Sequence, residues 1–303
     1  MAFTAKDVAS LREKTGCGMM DCKKALTDSD GNMEKALELL REKGLAAAAK
    51  KSSRIAAEGL VYTSSENKVG VIVEVNSETD FVAKNAEFQN FVADVAGAII
   101  KNSPADIDAF LESNFSGSDT VADALREKIL KIGENLKIRR FVRIDGDTVS
   151  YIHGGGRIGV LVDFDTDVAD NAGFEDFGKD IAMQIAALNP IYLNDADVPA
   201  EVIASEKEIL IAQIQNDPKH ASKPANIIEK MVEGRIRKYY EENCLVNQAF
   251  VKDGNLSVAK YIEQTAASMG GKIAIKSFVR FEKGEGLEKR ADNFADEVAE
   301  MVK

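Results

Sequence analysis

Histidine is scarce in this chain of 303 residues, with only His153 and His220 present. An enzyme needs convergent reactive groups. A Ser-His-Asp arrangement on His153 is the one hydrolase reading available, and no nucleophile-elbow pattern accompanies it. Cysteine is scarce as well. Cys17, Cys22 and Cys244 are an odd number in a large chain, which suits free thiols in a reducing compartment rather than a disulfide framework. Cys17 and Cys22 do not have the two-residue gap of a zinc knuckle, and no histidine lies near them. Basic charge is in deficit: 39 Lys and Arg against 50 Asp and Glu give a net charge of -11 and a pI near 4.9. That balance argues against a broad nucleic-acid surface, which needs a Lys/Arg stripe to neutralise phosphates, and favours a protein partner. No uncharged apolar stretch approaches the ~18–20 residues of a membrane span, and Met1 to Ser10 lacks the apolar core of a secretory signal. A cytoplasmic protein is expected.

The chain is long enough for two or three modules with their own cores, and 45% hydrophobic with 29% charged residues is ordinary globular composition. Thr4-Ala5-Lys6-Asp7 resembles a capping box, followed by Val8 and Leu11 on one face and a stop at Gly16. A second short helix is predicted from about Met19 to Thr27, then a turn over Asp28 to Asn32. Met33, Ala36, Leu37 and Leu40 fall at helical spacing in a third helix ending at Gly44. Residues 1–52 thus read as a three-helix domain. Met19 and Met20 lie about 100° apart on a helix, so both cannot face one core; one is expected to face out. An exposed methionine is an adaptable contact, and helix-start packing is the alternative. Leu45 to Lys51 reads as a helical or frayed linker.

Beyond Ser52 the chain repeats itself. Val69-Gly70-Val71-Ile72-Val73-Glu74-Val75 parallels Ile158-Gly159-Val160-Leu161-Val162-Asp163-Phe164, and Asn85 to Phe91 parallels Asn171 to Phe177. Phe141-Val142-Arg143-Ile144 parallels Phe278-Val279-Arg280-Phe281. The unit is strand, strand, helix and closing strand, twice over, giving α+β sub-domains with small antiparallel sheets over 55–146 and 147–283. The second copy carries extra residues at about 190–244. There two apolar-periodic segments, each opened by a proline (Pro199, Pro224), predict an inserted antiparallel helical hairpin. It is an arm for a second contact or for homodimer formation, or a decoration. Gly284-Glu285-Gly286 reads as a hinge into a C-terminal module, 284–303, whose Phe294, Val298 and Met301 form a narrow stripe that folds back on the core or docks on a partner.

Two stretches carry candidate function. Asn76 to Asn85 joins a buried strand to a helix with Phe88, Phe91, Val92, Val95 and Ile99 at helical spacing, and it holds Phe81 and Val82 among Ser77, Glu78, Thr79, Asp80 and Lys84. Phe81 is either a staple under that helix, with Thr79 or Ser77 as N-cap, or a rigid aromatic wedge aimed at a partner. Tyr151 to Gly159 is glycine-rich, but its glycines run into a strand, whereas a phosphate loop needs a following helix N-terminus. Gly270-Gly271-Lys272 fails the same test. A tight turn presenting His153 is the remaining reading, and no bound cofactor is expected.

The Asn76–Asn85 stretch, together with Leu11-Arg12-Glu13-Lys14-Thr15-Gly16-Cys17-Gly18-Met19-Met20-Asp21-Cys22-Lys23-Lys24-Ala25-Leu26, resembles the elongation factor Ts family, and the likeness covers essentially the whole chain. The resemblance implies a non-enzymatic guanine-nucleotide exchange factor of the GTPase elongation factor Tu, and a ubiquitin-associated-like N-terminal domain. It implies that Thr79, Asp80, Phe81 and Val82 enter the GTPase near its magnesium and phosphate sites. The motif holding Leu11, Met19 and Met20 would dock on a helix of the GTPase. The turn with His153 and Gly155 would meet it as well, and the C-terminal module with Phe294, Val298 and Met301 would be a further contact. Ser77 and Lys84 stand where the family also shows cysteine and arginine, and neither removes the wedge. The rival readings are a scaffold without exchange activity and a hydrolase on His153.

Overall fold

The computed structural model describes residues 3–15, 17–115, 119–217 and 223–288. The helix stop at Gly16, His220 with the hairpin tip, and the stripe of Phe294, Val298 and Met301 lie outside the described residues. Three helices come first: α1 (Ala5–Thr15), α2 (Met19–Asp28) and α3 (Met33–Lys51). Thr4 and Asp7 cap α1 reciprocally, since the Thr4 amide donates to Asp7 Oδ2 at 2.7 Å and the Asp7 amide to Thr4 Oγ1 at 3.4 Å. Val8, Leu11, Cys17, Cys22, Ala25, Leu26, Ala36 and Leu40 form their common core. Helix α3 does not end at Gly44 but continues through the alanines to Lys51. Gly44 is buried, and a Cβ there would stand 3.7 Å from the Arg126 carbonyl oxygen. That is ordinary contact distance, so Gly44 is a mid-helix residue facing the Arg126–Leu130 segment and not a terminator.

Two sheets follow. The first stretch runs β1 (Glu58–Glu66), β2 (Val69–Ser77), α4 (Asp80–Ala83), α5 (Ala86–Asn102), α6 (Ile107–Glu112), the short pair β3 (Asn114–Phe115) and β4 (Asp119–Thr120), α7 (Val121–Ile132) and β5 (Lys137–Asp145). The second runs β6 (Asp147–His153), β7 (Ile158–Thr166), α8 (Phe174–Leu188), α9 (Ala200–Asn216), α10 (Ala225–Asn243), the pair β8 (Ala249–Phe250) and β9 (Asp253–Ser257), α11 (Val258–Met269) and β10 (Ile273–Glu282). The sheet orders are β1-β2-β5 and β6-β7-β10, all antiparallel. The molecule is an α+β protein.

Each central strand is buried on both faces, which explains its nearly unbroken apolar run. Val71, Val73 and Val75 pack under Phe88, Phe91, Val92, Val95 and Ile99 of α5. On the second sheet, Val160, Val162 and Phe164 pack under Phe174, Phe177, Ile181 and Ile185 of α8. The other faces of the two sheets meet through Val61, Ile72, Leu161 and Phe281. A glycine from each sheet allows this approach: a Cβ at Gly70 would stand 2.7 Å from Leu161 Cδ1, and one at Gly159 2.5 Å from Val61 Cγ1 and 3.4 Å from Ile72 Cδ1. Helices α9 and α10 pack on each other through Leu210, Ile214, Val232 and Ile236. At 17 residues, α9 is about 25 Å long. The prolines precede the helices as caps, since the first helical residues are Ala200 and Ala225.

Within β2 sits a carboxylate with no solvent exposure, Glu74. It accepts from Arg139 at 3.0 and 3.1 Å, Arg140 Nε at 2.6 Å, Asn76 Nδ2 at 3.0 Å and the Gly284 amide at 2.8 Å. The Arg140 guanidinium lies 4.1 Å from the Phe281 ring centroid. Arg139 also donates to the Glu285 carbonyl at 2.6 Å, and the Lys283 amide to the Arg157 carbonyl at 2.9 Å. Gly284-Glu285-Gly286 is therefore a pinned turn and not the hinge that its glycines suggested. Burial raises the Glu74 pKa, but the bonds from Gly284, Asn76, Arg140 and Arg139 outweigh it, and the net shift is downward.

Two outcomes follow from this packing. Gly159→Ala forces a methyl group against Val61 and is expected to lower stability by about 1–3 kcal/mol, read from urea unfolding. Because the folded pKa of Glu74 is depressed, its stabilisation is complete above the ordinary glutamate range near ~4.3 and is lost as pH falls through the folded value. Glu74→Gln, which leaves Arg139 without a carboxylate and Arg140 with only the half-exposed Glu285 at 3.1 Å, should destabilise by about 3 kcal/mol at neutral pH. The deficit relative to wild type should shrink in acid, measured by unfolding at pH 7 and below pH 4.

Candidate functional site

Strand β2 leaves the first sheet at Ser77, and the chain turns at Thr79 (φ -125°, ψ 156°) into the four-residue helix α4. Thr79 is its N-cap, its hydroxyl accepting from the Val82 amide at 3.4 Å, while Ser77 Oγ donates to the Thr79 carbonyl at 2.9 Å. A second bond set comes from 55 residues downstream, where Glu134 Oε2 accepts the Glu78 and Thr79 amides at 3.1 and 3.0 Å and Glu134 Oε1 accepts the Thr79 hydroxyl at 2.6 Å. The Asn135 amide in turn donates to Glu78 Oε1 at 2.6 Å, and Asn135 Nδ2 to the Arg54 carbonyl at 2.8 Å. The turn is fastened to the start of β5 from both directions.

The side chains on this turn divide cleanly. Val82 packs against the core under α5. Phe81 is 80% exposed, so it is not the staple; Val82 occupies that place. The Asp80 carboxylate pairs with Lys84 Nζ at 2.6 Å. That hydrogen bond, aided by the charge of Lys84 and of Lys283, holds the Asp80 pKa below its ordinary value. Lys283 is itself paired with Glu58 at the start of β1.

His153 ends β6 and is exposed, its Nδ1 lying 3.1 Å from the Tyr151 hydroxyl. The orienting neighbour of the ring is thus a phenol and not the carboxylate that a Ser-His-Asp arrangement requires. The following turn places Gly154, Gly155 and Gly156 at φ of +59°, +64° and +94°. At Gly156 no side chain fits, because a Cβ would stand 2.7 Å from Leu60 Cβ, and its carbonyl accepts the Val61 amide at 2.8 Å. Gly155 is exposed at the tip. Since Lys283 bonds the Arg157 carbonyl and lies near Asp80, this turn and α4 share one end of the sheet pair.

Met19 and Met20 are both exposed, at 52% and 73%, where the sequence argument left one outside. The inward position is already filled: Cys17 precedes the N-cap Gly18, and Cys22 lies in the next turn. Both are buried, with Cys22 Sγ 3.8 Å from the Cys17 carbonyl, as in a hydrophobic staple. Leu11, expected at the contact surface, is fully buried in the three-helix core. It shapes the surface from beneath and offers no side chain to a partner.

One element joins the α4 turn to the N-terminal helices. Helix α7 receives the N-terminal helices, through Leu130 against their core and Lys51 Nζ donating to the Ile129 carbonyl at 3.3 Å. Lys128 and Lys131 of α7 pair with Glu87 of α5 at 2.9 and 2.6 Å. After its C-cap Gly133 (φ +88°), the chain delivers Glu134 and Asn135 to the α4 turn. Sequence reasoning missed Glu134, Asn135 and Arg54. The only local signal is a polar pair directly after a glycine helix stop. Among the described residues, no cluster of three or more His, Cys, Asp or Glu is placed to hold a metal ion. No described helix is long and apolar enough to cross a membrane.

Comparison with known proteins is consistent across the chain. The family described as Elongation factor TS matches residues 78–285. Elongation factor Ts of Clostridium perfringens is 52% identical over 99% of both chains. That of Syntrophotalea carbinolica is 50% identical over the full length of both, and that of Clostridioides difficile 49% identical over 99% of each. With the family match running from the Thr79 turn to the pinned turn at Gly284, and identity near one half sustained end to end, this chain belongs to the elongation factor Ts family.

Proposed function

We propose that this protein binds the GDP form of elongation factor Tu in the cytoplasm and drives release of GDP, with Phe81 as the wedge and Asp80 beside it. The observation that carries this reading is a large aromatic side chain left 80% exposed on a turn that is otherwise bonded at nearly every polar group. Exposed aromatics on rigid backbone make interface anchors at low entropic cost. The wedge enters near the magnesium and phosphate sites, the metal contacts are disturbed, and the nucleotide leaves. No bond-making chemistry is required. A partner that prefers the empty GTPase weakens nucleotide binding by the factor by which nucleotide weakens the partner, and GTP then expels the factor. Each tenfold weakening takes about 1.4 kcal/mol of interface free energy.

The remaining contacts supply binding. Met19 and Met20, on a three-helix ubiquitin-associated-like domain, dock on a helix of the GTPase, and their flexible thioether side chains suit an adaptable contact. The turn of His153 and Gly155 is a second contact and the segment with Phe294, Val298 and Met301 a third. The two sheets with their helices are a duplicated α+β unit, the second interrupted by the α9-α10 arm.

In stopped-flow release of fluorescent GDP from elongation factor Tu, the wild-type chain should accelerate release by orders of magnitude. Phe81→Ala should lose about tenfold or more of that, equivalent to ~1.4 kcal/mol, while still binding; equal rates would make Phe81 a surface residue without a role. The double substitution Met19→Ala, Met20→Ala should weaken binding about tenfold with an unchanged melting temperature, since both side chains are exposed. Calorimetric titration with nucleotide-free elongation factor Tu measures the first, thermal unfolding the second.

A further inference from the structure

We infer that Glu134 is a positioning residue for nucleotide release, holding Phe81 in its productive direction through the backbone of Glu78 and Thr79; the inference rests on the wedge reading above. Phe81, at 80% exposure, has little packing of its own to aim it, so the α4 backbone sets its direction. That helix has four residues, too few to hold itself, and its capping bond from Thr79 to the Val82 amide is long, at 3.4 Å. Val82 in the core, Ser77 Oγ on the Thr79 carbonyl at 2.9 Å and Gln89 Nε2 on the Ala83 carbonyl at 3.2 Å each hold one point of it. The charged acceptor on its entry is Glu134, whose carboxylate accepts two amides and a hydroxyl at 3.1, 3.0 and 2.6 Å. Bonds to an ionised acceptor are roughly twice as strong as neutral ones. The return bond from the Asn135 amide to Glu78 Oε1 at 2.6 Å closes a two-way clasp, and Asn135 is itself buried. The clasp reaches no further than Thr79. Asp80 and Phe81 project beyond it, so Glu134 supports the contact without belonging to it.

A wedge on a loosened turn must be ordered during docking, which removes free energy from the step that disturbs the nucleotide and little from the docking of the other surfaces. The signature is a fall in the maximal rate of GDP release at saturating factor, with the half-saturating concentration nearly unchanged. Glu134→Ala should lower that maximal rate about tenfold. Glu134→Gln, which keeps one carbonyl acceptor for the amides and places its NH2 toward the Thr79 hydroxyl, should lose less, about threefold. Amide hydrogen exchange in the free protein should quicken at Glu78 and Thr79 in Glu134→Ala while Val71 and Val73 of β2 keep their protection. In a Phe81→Ala background, Glu134→Ala should produce no further loss, because it acts through the residue already removed.

A wild-type maximal rate in Glu134→Ala with both amides deprotected overturns the inference, and so does an undiminished loss in the Phe81→Ala background. If Glu134→Ala does not fold, Glu134→Gln and Thr79→Val carry the same cycle, the latter removing the 2.6 Å bond to Glu134 together with the long 3.4 Å cap to the Val82 amide and leaving both amide bonds to Glu134 in place. The two readings fail differently. Neutral Phe81→Ala ends both, whereas impaired Phe81→Ala with a neutral Glu134→Ala ends only this one.

Discussion

A glutamate with no access to water holds the core of this molecule together. Glu74 lies in the central strand of the first sheet, where an apolar residue would be the ordinary choice, and it survives there because every direction around it holds a donor. Two arginines come from β5 and one amide from the turn after β10, so one side chain joins the first sheet to the last strand of the second. Arg140, stacked on Phe281, carries the same connection into the apolar seam. Buried ion pairs are weak evidence for stability in general. Here the pair sets register and position, fixing where the chain emerges near Glu58 and the α4 turn.

The exposed aromatic gains meaning against that background. Polar groups around Thr79 are bonded with an economy usually seen in interiors, while Phe81 stands in solvent. The contrast is directional: the bonds restrain main chain, and the side chain carries the unspent apolar surface. Asp80 shows the same separation, since its partner Lys84 caps the C-terminus of the same short helix and is largely exposed. Such a pair is exchangeable with a competing cation or donor at little loss.

Local pattern was readable from the sequence, and long-range partnership was not. The spacing of Phe88, Phe91, Val92, Val95 and Ile99 indicated a buried helix face, and all five are at most 1% exposed. The strand-to-helix junction was equally plain. Which of Phe81 and Val82 turns inward depends on a single step of helical phase, and the turn that sets it is bonded to Glu134, 55 residues from Thr79. Gly44 carried the signature of a helix stop, yet the helix runs on to Lys51, with Arg126 and Leu130 of α7 lying against the glycine. Leu11 sat within a contact motif but belongs to the core. Met19 and Met20 competed for one inward position that Cys17 had already taken. Each difference arises where packing in the folded chain decides between two choices that look equal in the local pattern.

The interlocked glycines have a mechanical consequence. Gly70 is filled by Leu161 of the opposite sheet and Gly159 by Val61 and Ile72, so each sheet is keyed into the other and no smooth plane is left for sliding. Buried cores of this density deform little under load. The two sheets therefore behave as one stiff block, with its free aromatic at a corner. A block of this kind passes load from one sheet to the other with little deformation of its own.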